Sequence, residues 1–383
     1  MTKLFIEFFK TEKASGIVLI LCTLISLALA NSQFSNSYLS IWQLPILGHP
    51  FSYWINDGLM TIFFLLVGLE IEREIYAGEL SQPRKALLPI VAALGGMIVP
   101  ALIHFSLHAG TETQSGMGIP MATDIAFALG VLSLLGKRVP FGLKVFLAAF
   151  AIIDDLGAII VIAIFYTSGL SISNALVAGG IIAVLVIANR LGVRNLFFYL
   201  ISGVVLWYFI HQSGIHGTIT GVVLAFLVPF EKGDSSSPSH KLQHGLHYLV
   251  AFLVLPLFAL ANTCVTISSD WYTSLLFPNS LGIMMGLVAG KLIGITFFSF
   301  AAVRINLCTL PAGVNWKQIV SVSVLGGIGF TMSIFITMLA FQDVSLVVQS
   351  KIAILMASLV AGTTGYLSLR RSLGVQSAAV SAD

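Results

Sequence analysis

The chain is predicted to be an all-α membrane protein of twelve transmembrane helices with both termini cytoplasmic, on three observations. Of its 383 residues 57% are hydrophobic and only 9% charged, with a mean hydropathy of +0.98, whereas a soluble domain carries roughly a quarter charged residues. Apolar runs of about 20 residues, the helix length that crosses ~30 Å of hydrocarbon, recur from end to end with short polar interruptions. Lysine and arginine are sorted to alternate connections. No soluble domain fits between the runs, so residues 1–383 are expected to form one integral membrane domain.

The spans are expected at about 14–31, 57–76, 87–106, 117–135, 141–166, 174–190, 196–211, 214–229, 247–266, 281–303, 318–340 and 346–369. Lys3, Lys10 and Lys13 precede the first, but eleven spans follow it and no small-residue cleavage site stands out. It is therefore expected to be retained rather than removed as a signal peptide. Basic residues remain on the cytoplasmic side. With the N-terminus inside, inner segments and helix ends hold seventeen of the nineteen Lys and Arg residues. The other two, Lys291 and Lys351, lie within spans, which leaves the outer connections with none. The net charge of +3 follows from this topology and implies no nucleic-acid partner. Cys22, Cys264 and Cys308 are scattered singly without metal-ligand or disulfide spacing, as packing residues are.

The chemistry is concentrated in few residues. Asp154 and Asp155 stand side by side in "AIIDDLGAII", roughly 20 Å from either end of the fifth span at 1.5 Å per residue. A central Asp costs about 2.5 to 3.5 kcal/mol on insertion, so stability does not recommend the pair. Two adjacent buried carboxylates are expected to exchange protons and to titrate as one coupled unit. Asp124 lies in "GIPMATDIAFALG", where Pro120 and Thr123 weaken the helix just before it, and Lys291 in the middle of "GIMMGLVAGKLIG". The deep inventory is thus three acids and one base, with the depth of Lys351 open. Successive helical residues point about 100° apart, so one member of the Asp pair can hold Lys291 while the other faces a cavity. The second, with backbone oxygens and Thr123, suits a hard cation. Structural polar contacts between helices are the bland alternative, but ionisable residues at membrane depth are functional by default.

Gly326, Gly327 and Gly329 in "LGGIGFTMSIF" weaken the eleventh span. A broken helix lining a cavity and tight helix packing are both compatible with that segment. Gly282, Gly286, Gly290 and Gly294 recur every four residues on one face, as packing requires. "GLVAGKL" fails as a phosphate-binding loop, since Leu292 stands where Ser or Thr is needed, and no nucleotide or other cofactor is implied.

"FFLLVGLEIERE" (Phe63 to Glu74), "GGMIVPALI" (Gly95 to Ile103), "PMATDIAFALGV" (Pro120 to Val131), "AIIDDLGAI" (Ala151 to Ile159), "SGIHGT" (Ser213 to Thr218) and "GGIGFTMSIF" (Gly326 to Phe335) closely resemble the NhaA family of bacterial sodium/proton antiporters. The motifs extend along nearly the whole chain in family order. The resemblance implies inverted repeats of spans three to five and ten to twelve, with spans four and eleven interrupted and crossing at the midplane. It implies that Asp155 is the principal Na+ ligand and that Asp154, the second, pairs with Lys291 when the ion is absent. Thr123 and Asp124 would sit at the crossing, with Asp124 offsetting positive helix N-termini and Lys291 the facing C-terminal ends. The implied activity is electrogenic, pH-regulated exchange of Na+ or Li+ for protons in the bacterial inner membrane, without enzymatic chemistry. Whether Lys291 or Asp154 carries a second proton stays open.

For the pH response the candidates are cytoplasmic. Glu70, Arg73 and Glu74 share a helical face, and His240, His244 and His247, with Lys241 among them, have similar spacing near span nine. Histidine changes charge near neutral pH; a three-histidine metal site and solvated helix ends are the rivals. Gln243 stands where the family leads one to expect Glu, which bears on that response and not on transport. His216 is expected as a helix-interior polar contact. The outer segment "QLPILGHPFSYW" (Gln43 to Trp54), with Gly48 at a turn, suggests a hairpin joining two subunits, as in relatives. A passive cation channel and an intramembrane aspartyl protease are the alternative classes. The protease lacks its Gly-x-Gly-Asp signature, and Lys291 would disable a shared-proton dyad.

Overall fold

The computed structural model describes residues 3–167, 169–234, 236–267 and 271–380. The chain begins with α1 (Lys3–Ala30) and the short α2 (Ser35–Trp42). A two-stranded hairpin follows, β1 (Pro45–Ile46) antiparallel to β2 (His49–Pro50) with Ile46 opposite His49. Leu47 and Gly48 form its turn with φ of 50° and 84°, the positive values that a two-residue hairpin turn requires. Next come α3 (Phe51–Tyr53), a π turn over Trp54–Leu59 and α4 (Met60–Ala77), which together make one apolar helix of 27 residues.

α5 (Pro83–His108) leads to a 3-10 segment, Glu112–Met121, then α6 (Ile125–Leu134), α7 (Phe141–Phe165), α8 (Ile172–Arg190), α9 (Leu196–Gln212) and α10 (Ile219–Leu227). α11 (Pro238–Leu249) and α12 (Leu255–Asn262) are joined by a π turn over Val250–Val254. After α13 (Trp271–Ser274), α14 (Pro278–Met285) and α15 (Lys291–Arg304) are joined by another, Gly286–Gly290. α16 (Trp316–Leu325), α17 (Phe330–Ala340) and α18 (Val344–Val380) complete the chain.

Among the described residues, eight helices are long and apolar enough to cross a membrane. Two further stretches pass that test only as bent pairs. Glu112–Met121 and α6 meet at 40°, and α16 and α17 at 46°. The expected span 214–229 needs correction. It is helical only over the nine residues of α10, ~13 Å at 1.5 Å per residue, because Gly214 turns the chain at φ 87° and the next residues stay irregular.

The chain forms two compact units. The first comprises Met1–Leu24, Gln82–Ala158 and Val265–Asp383. Its tightest seam runs between α5 and the α14–α15 helix, where glycines let backbones touch. A Cβ on Gly290 would lie 2.9 Å from Pro100 Cα, and one on Gly294 would run into the Gly95 carbonyl. The four-residue glycine repeat is therefore a packing face. The second unit comprises Ile25–Ser81 and Ile159–Cys264. There α4 and α10 cross closely, a Cβ on Gly68 falling 2.6 Å from Ala225 Cβ. Leu65, Leu69, Tyr199, Leu206 and Leu224 fill the interior around that crossing.

Candidate functional site

In the first unit, the break between Met121 and Ile125 meets the break between Leu325 and Phe330. Ala122 and Asp124 are extended, at ψ of 144° and 101°. Interrupting a helix strands backbone groups that hydrocarbon cannot satisfy, and here each break supplies the other. The Asp124 N–H donates to the Ile328 carbonyl (2.7 Å) and the Thr123 hydroxyl to the Gly326 carbonyl (2.7 Å). The Ser333 hydroxyl donates to the Ile119 carbonyl (2.7 Å). Asp124 caps two helices with one carboxylate. Oδ1 accepts from the Phe127 N–H of its own α6 (2.9 Å), and Oδ2 from the Thr331 N–H (3.1 Å) and hydroxyl of α17. A negative group at two helix N-termini is favoured by their partial positive charge. The Ser358 hydroxyl, from α18, accepts the Phe330 N–H (3.2 Å).

The three glycines serve both readings left open above. The chain breaks at Gly326–Gly329, and it also passes so close to its neighbours that a Cβ on Gly327 would collide with the Leu287 carbonyl.

α7 places Asp154 and Asp155 beside this crossing, 0% and 1% exposed. Lys291, also 0% exposed, sets Nζ 2.7 Å from Asp154 Oδ2 and 5.6 Å from the centre of the Phe150 ring. Thr123 is a neighbour of Asp154, but its single hydroxyl proton is committed to Gly326. Asp154 Oδ1 consequently stays buried without a well-formed hydrogen bond. Asp155 is close enough to feel the Lys291 charge while Asp154 takes the direct contact. Lys291 makes its direct contact with Asp154, while the Gly326 carbonyl at the end of α16 accepts the Thr123 hydroxyl. The result is a buried pair of adjacent carboxylates with one ammonium against it, an oxygen set of the type that suits a small hard cation or a proton.

The second unit gathers part of the other cluster. Glu70 is buried on α4 with Oε1 3.9 Å from His247 Nδ1 on α11, and Arg73 bonds Glu74 at 3.1 Å. Among the described residues the three histidines form no group that could hold a metal ion. His244 is exposed and lies edge-on to Tyr248, Lys241 is exposed, and His247 faces the acid. Gln243 is buried on α11. His216 lies on the irregular stretch before α10, its Nε2 2.8 Å from the Tyr166 carbonyl, and so is not a helix-interior contact.

Other ionisable side chains are buried in the protein besides those three acids and the base. Glu72 is buried and accepts the Ser239 hydroxyl at 2.9 Å; Asp57 buries Oδ2 at the Trp54–Leu59 turn; His104 and His108 are buried at the end of α5. Glu72 sits inside a quoted motif, but the partner that makes it a core residue lies 167 positions away. The histidines carry a sequence signal of their own, a four-residue spacing on an apolar helix.

The family model described as Na+/H+ antiporter 1 matches residues 6–369. The chain belongs to the Na+/H+ antiporter 1 family. Members similar to it are proteins named Na(+)/H(+) antiporter NhaA. That of Cytophaga hutchinsonii is 57% identical over 373 residues, spanning 97% of this chain and 96% of the relative. The one numbered 1 in Flavobacterium johnsoniae is 57% identical over 97% of both chains. That of Yersinia pseudotuberculosis serotype O:3 is 48% identical over 99% of both. With its many apolar helices, this Na+/H+ antiporter 1 family member is a multi-pass membrane protein.

Proposed function

We propose that the protein is a Na+/H+ antiporter of the bacterial inner membrane that also accepts Li+, extruding sodium by exchanging it for protons at Asp155 and Asp154. The observation that carries the reading is the fully buried Asp154–Lys291 pair with Asp155 adjacent, set against two mutually bonded helix breaks. The family name carried by relatives over nearly their whole length supports the choice of ions.

The mechanism is competition. With no ion bound, Lys291 neutralises Asp154 and a proton neutralises Asp155. Sodium entering among Asp155, Asp154 and the Thr123 region displaces the proton from Asp155 and takes over the Lys291 contact, and a second proton leaves from the Lys291–Asp154 pair that this opens. Because the carboxylates hold one kind of cargo or the other, opening to one side at a time exchanges them. Two protons against one Na+ moves net charge inward, so membrane potential drives sodium out.

The chain is read as one transporter domain of twelve spans with both termini cytoplasmic and the two breaks as the interrupted fourth and eleventh spans of inverted repeats. Glu70, Arg73, Glu74 and His247, with exposed Lys241 and His244 near His247 in sequence, are read as the pH-responsive group. The β1–β2 hairpin is read as a homodimer contact within membrane lipid. The test is sodium-induced proton release from everted vesicles. Wild type should release protons, and Asp155→Asn should match vesicles lacking the protein. Full exchange by that variant would refute the site.

A further inference from the structure

Away from the aspartates but in the same compact unit, α5 ends in two histidines one turn apart, 0% and 1% exposed at His104 and His108. Their rings stack with centroids 4.3 Å apart and planes 22° from parallel. Hydrogen bonds define both tautomers. His108 Nδ1 lies 2.7 Å from the His104 carbonyl, which can only accept, so Nδ1 carries the proton. His104 Nε2 lies 3.3 Å from Asn279 Oδ1, and the Asn279 amide nitrogen donates to Ser350 Oγ at 2.9 Å, so Nε2 carries the proton there. Each neutral ring keeps one in-plane lone pair, His104 Nδ1 and His108 Nε2, and both are buried without a donor. Glycines make the space: a Cβ on Gly282 would lie 2.6 Å from His108 Cε1, and one on Gly116 3.1 Å from His104 Cε1.

Two unsatisfied basic nitrogens invite either a metal ion or a proton. Chelation needs lone pairs converging on one point about 2 Å away, whereas in-plane lone pairs of stacked, nearly parallel rings do not converge. We propose that the His104–His108 pair is a proton-binding site, separate from Asp154 and Asp155, that takes up a single proton from the outer face. Two charged rings in stacking contact would repel strongly, which limits the uptake to one.

Titratable groups on the surrounding elements are sparse. Glu112 is exposed at the start of the 3-10 segment, Asp343 is exposed ahead of α18, and Lys351 follows Ser350 at intermediate depth; α14 carries none. Among the described residues no carboxylate pairs with either ring. Water must therefore solvate the added charge, and admitting it loosens the chain of bonds from His104 through Asn279 to Ser350 that ties α5 to α14 and α18. Outer acidity thereby acts on the packing of the unit that holds the ion site. The outer placement rests on the topology and exchange activity proposed above.

The test is the double variant His104→Gln, His108→Asn. Its amide nitrogens occupy the positions of Nε2 and Nδ1, so both donated hydrogen bonds persist while the basic lone pairs go. In the full chain in lipid nanodiscs with 15N-labelled histidine, the two ring signals missing from the variant should move together towards the charged form as pH is lowered from 8 to about 4. In proteoliposomes with inner pH fixed, wild type and variant should exchange equally at outer pH 8. Their rate ratio should then change about fivefold by outer pH of about 4, the scale of a modest coupling between sites. His108→Asn alone should give the same signature should the double variant fold poorly. Ring signals fixed across that range, or superimposable outer-pH profiles, would overturn the proposal. Failure of wild type to exchange ions at all would sink the antiport reading, whereas the ring titration would still decide the proton site.

Discussion

Removing one partner of a buried ion pair leaves the other's charge in a medium that cannot solvate it, a loss of about 3–5 kcal/mol. Lys291→Ala should therefore lower the thermal unfolding midpoint in detergent sharply. Adding Asp154→Asn should restore much of the loss, because the orphaned charge disappears with it. Equal destabilisation by the single and double variants would show that the 2.7 Å contact is energetically idle. Outside the spans, Asp234 gives a pH prediction with a definite sign. The Ser236 hydroxyl (2.9 Å) and N–H (2.7 Å), aided by Arg194 (2.9 Å), hold its carboxyl down to about 2. A depressed folded value makes the ionised clasp favourable above the ordinary carboxylate range and lost as pH falls towards 2. The Ser236 amide resonance should stay constant from pH 7 to 4 and shift only near that acid limit, and Asp234→Asn should abolish the step. The Asp pair and Lys291 were legible in the sequence because a charge inside an apolar run is conspicuous whatever the fold. The double capping by Asp124 was not, since Thr331 lies 207 residues away and only the folded crossing brings it near.

At the scale of helices, the breaks and seams set the tolerances. Gly294→Ala drives a methyl group into the backbone of α5. Overpacking of that kind costs about 1–3 kcal/mol, and a lowered unfolding midpoint would register it, whereas Gly179→Ala, with open space around it, should be neutral or mildly stabilising. Asn315 begins α16 with a reciprocal capping box, accepting the Gln318 N–H (3.0 Å) while the Gln318 side chain accepts the Asn315 N–H (3.0 Å). Asn315→Ala should cost about 1 kcal/mol, visible as faster amide exchange in the first turn of α16. Helix positions were readable from apolar length. What length could not show was the irregular lead into α10, where Gly214 adopts a left-handed conformation that hydropathy does not register.

For the whole molecule, coupled exchange and passive conduction make opposite demands. An antiporter with two protons against one sodium must respond to voltage, since one elementary charge across 100 mV is worth about 2.3 kcal/mol. In proteoliposomes, an inside-negative potassium diffusion potential imposed with valinomycin should accelerate sodium efflux from the cytoplasmic-facing side. Clamping the proton gradient to zero at zero potential should leave no net sodium movement down a proton-free path. Sustained sodium flux without counter-moving protons would favour a channel. Apolar runs repeated along the chain made a multi-pass all-α membrane protein readable in the sequence, while the division into two compact units was not, because each is assembled from segments far apart in the chain.

The π turn at Gly286–Gly290, directly ahead of Lys291, has a consequence for insertions and deletions. A wide turn of this kind holds one residue more than an ordinary helical turn, and one residue is worth about 100° of rotation. Deleting one residue there would restore regular winding and leave the ammonium facing much as before, because the widened turn already absorbs the extra residue. A frame-preserving loss of one codon within the regular turns of α14 should instead swing Lys291 by about 100° relative to the preceding residues and disarm the carrier, so that the widened turn is the place where a change in length is borne best.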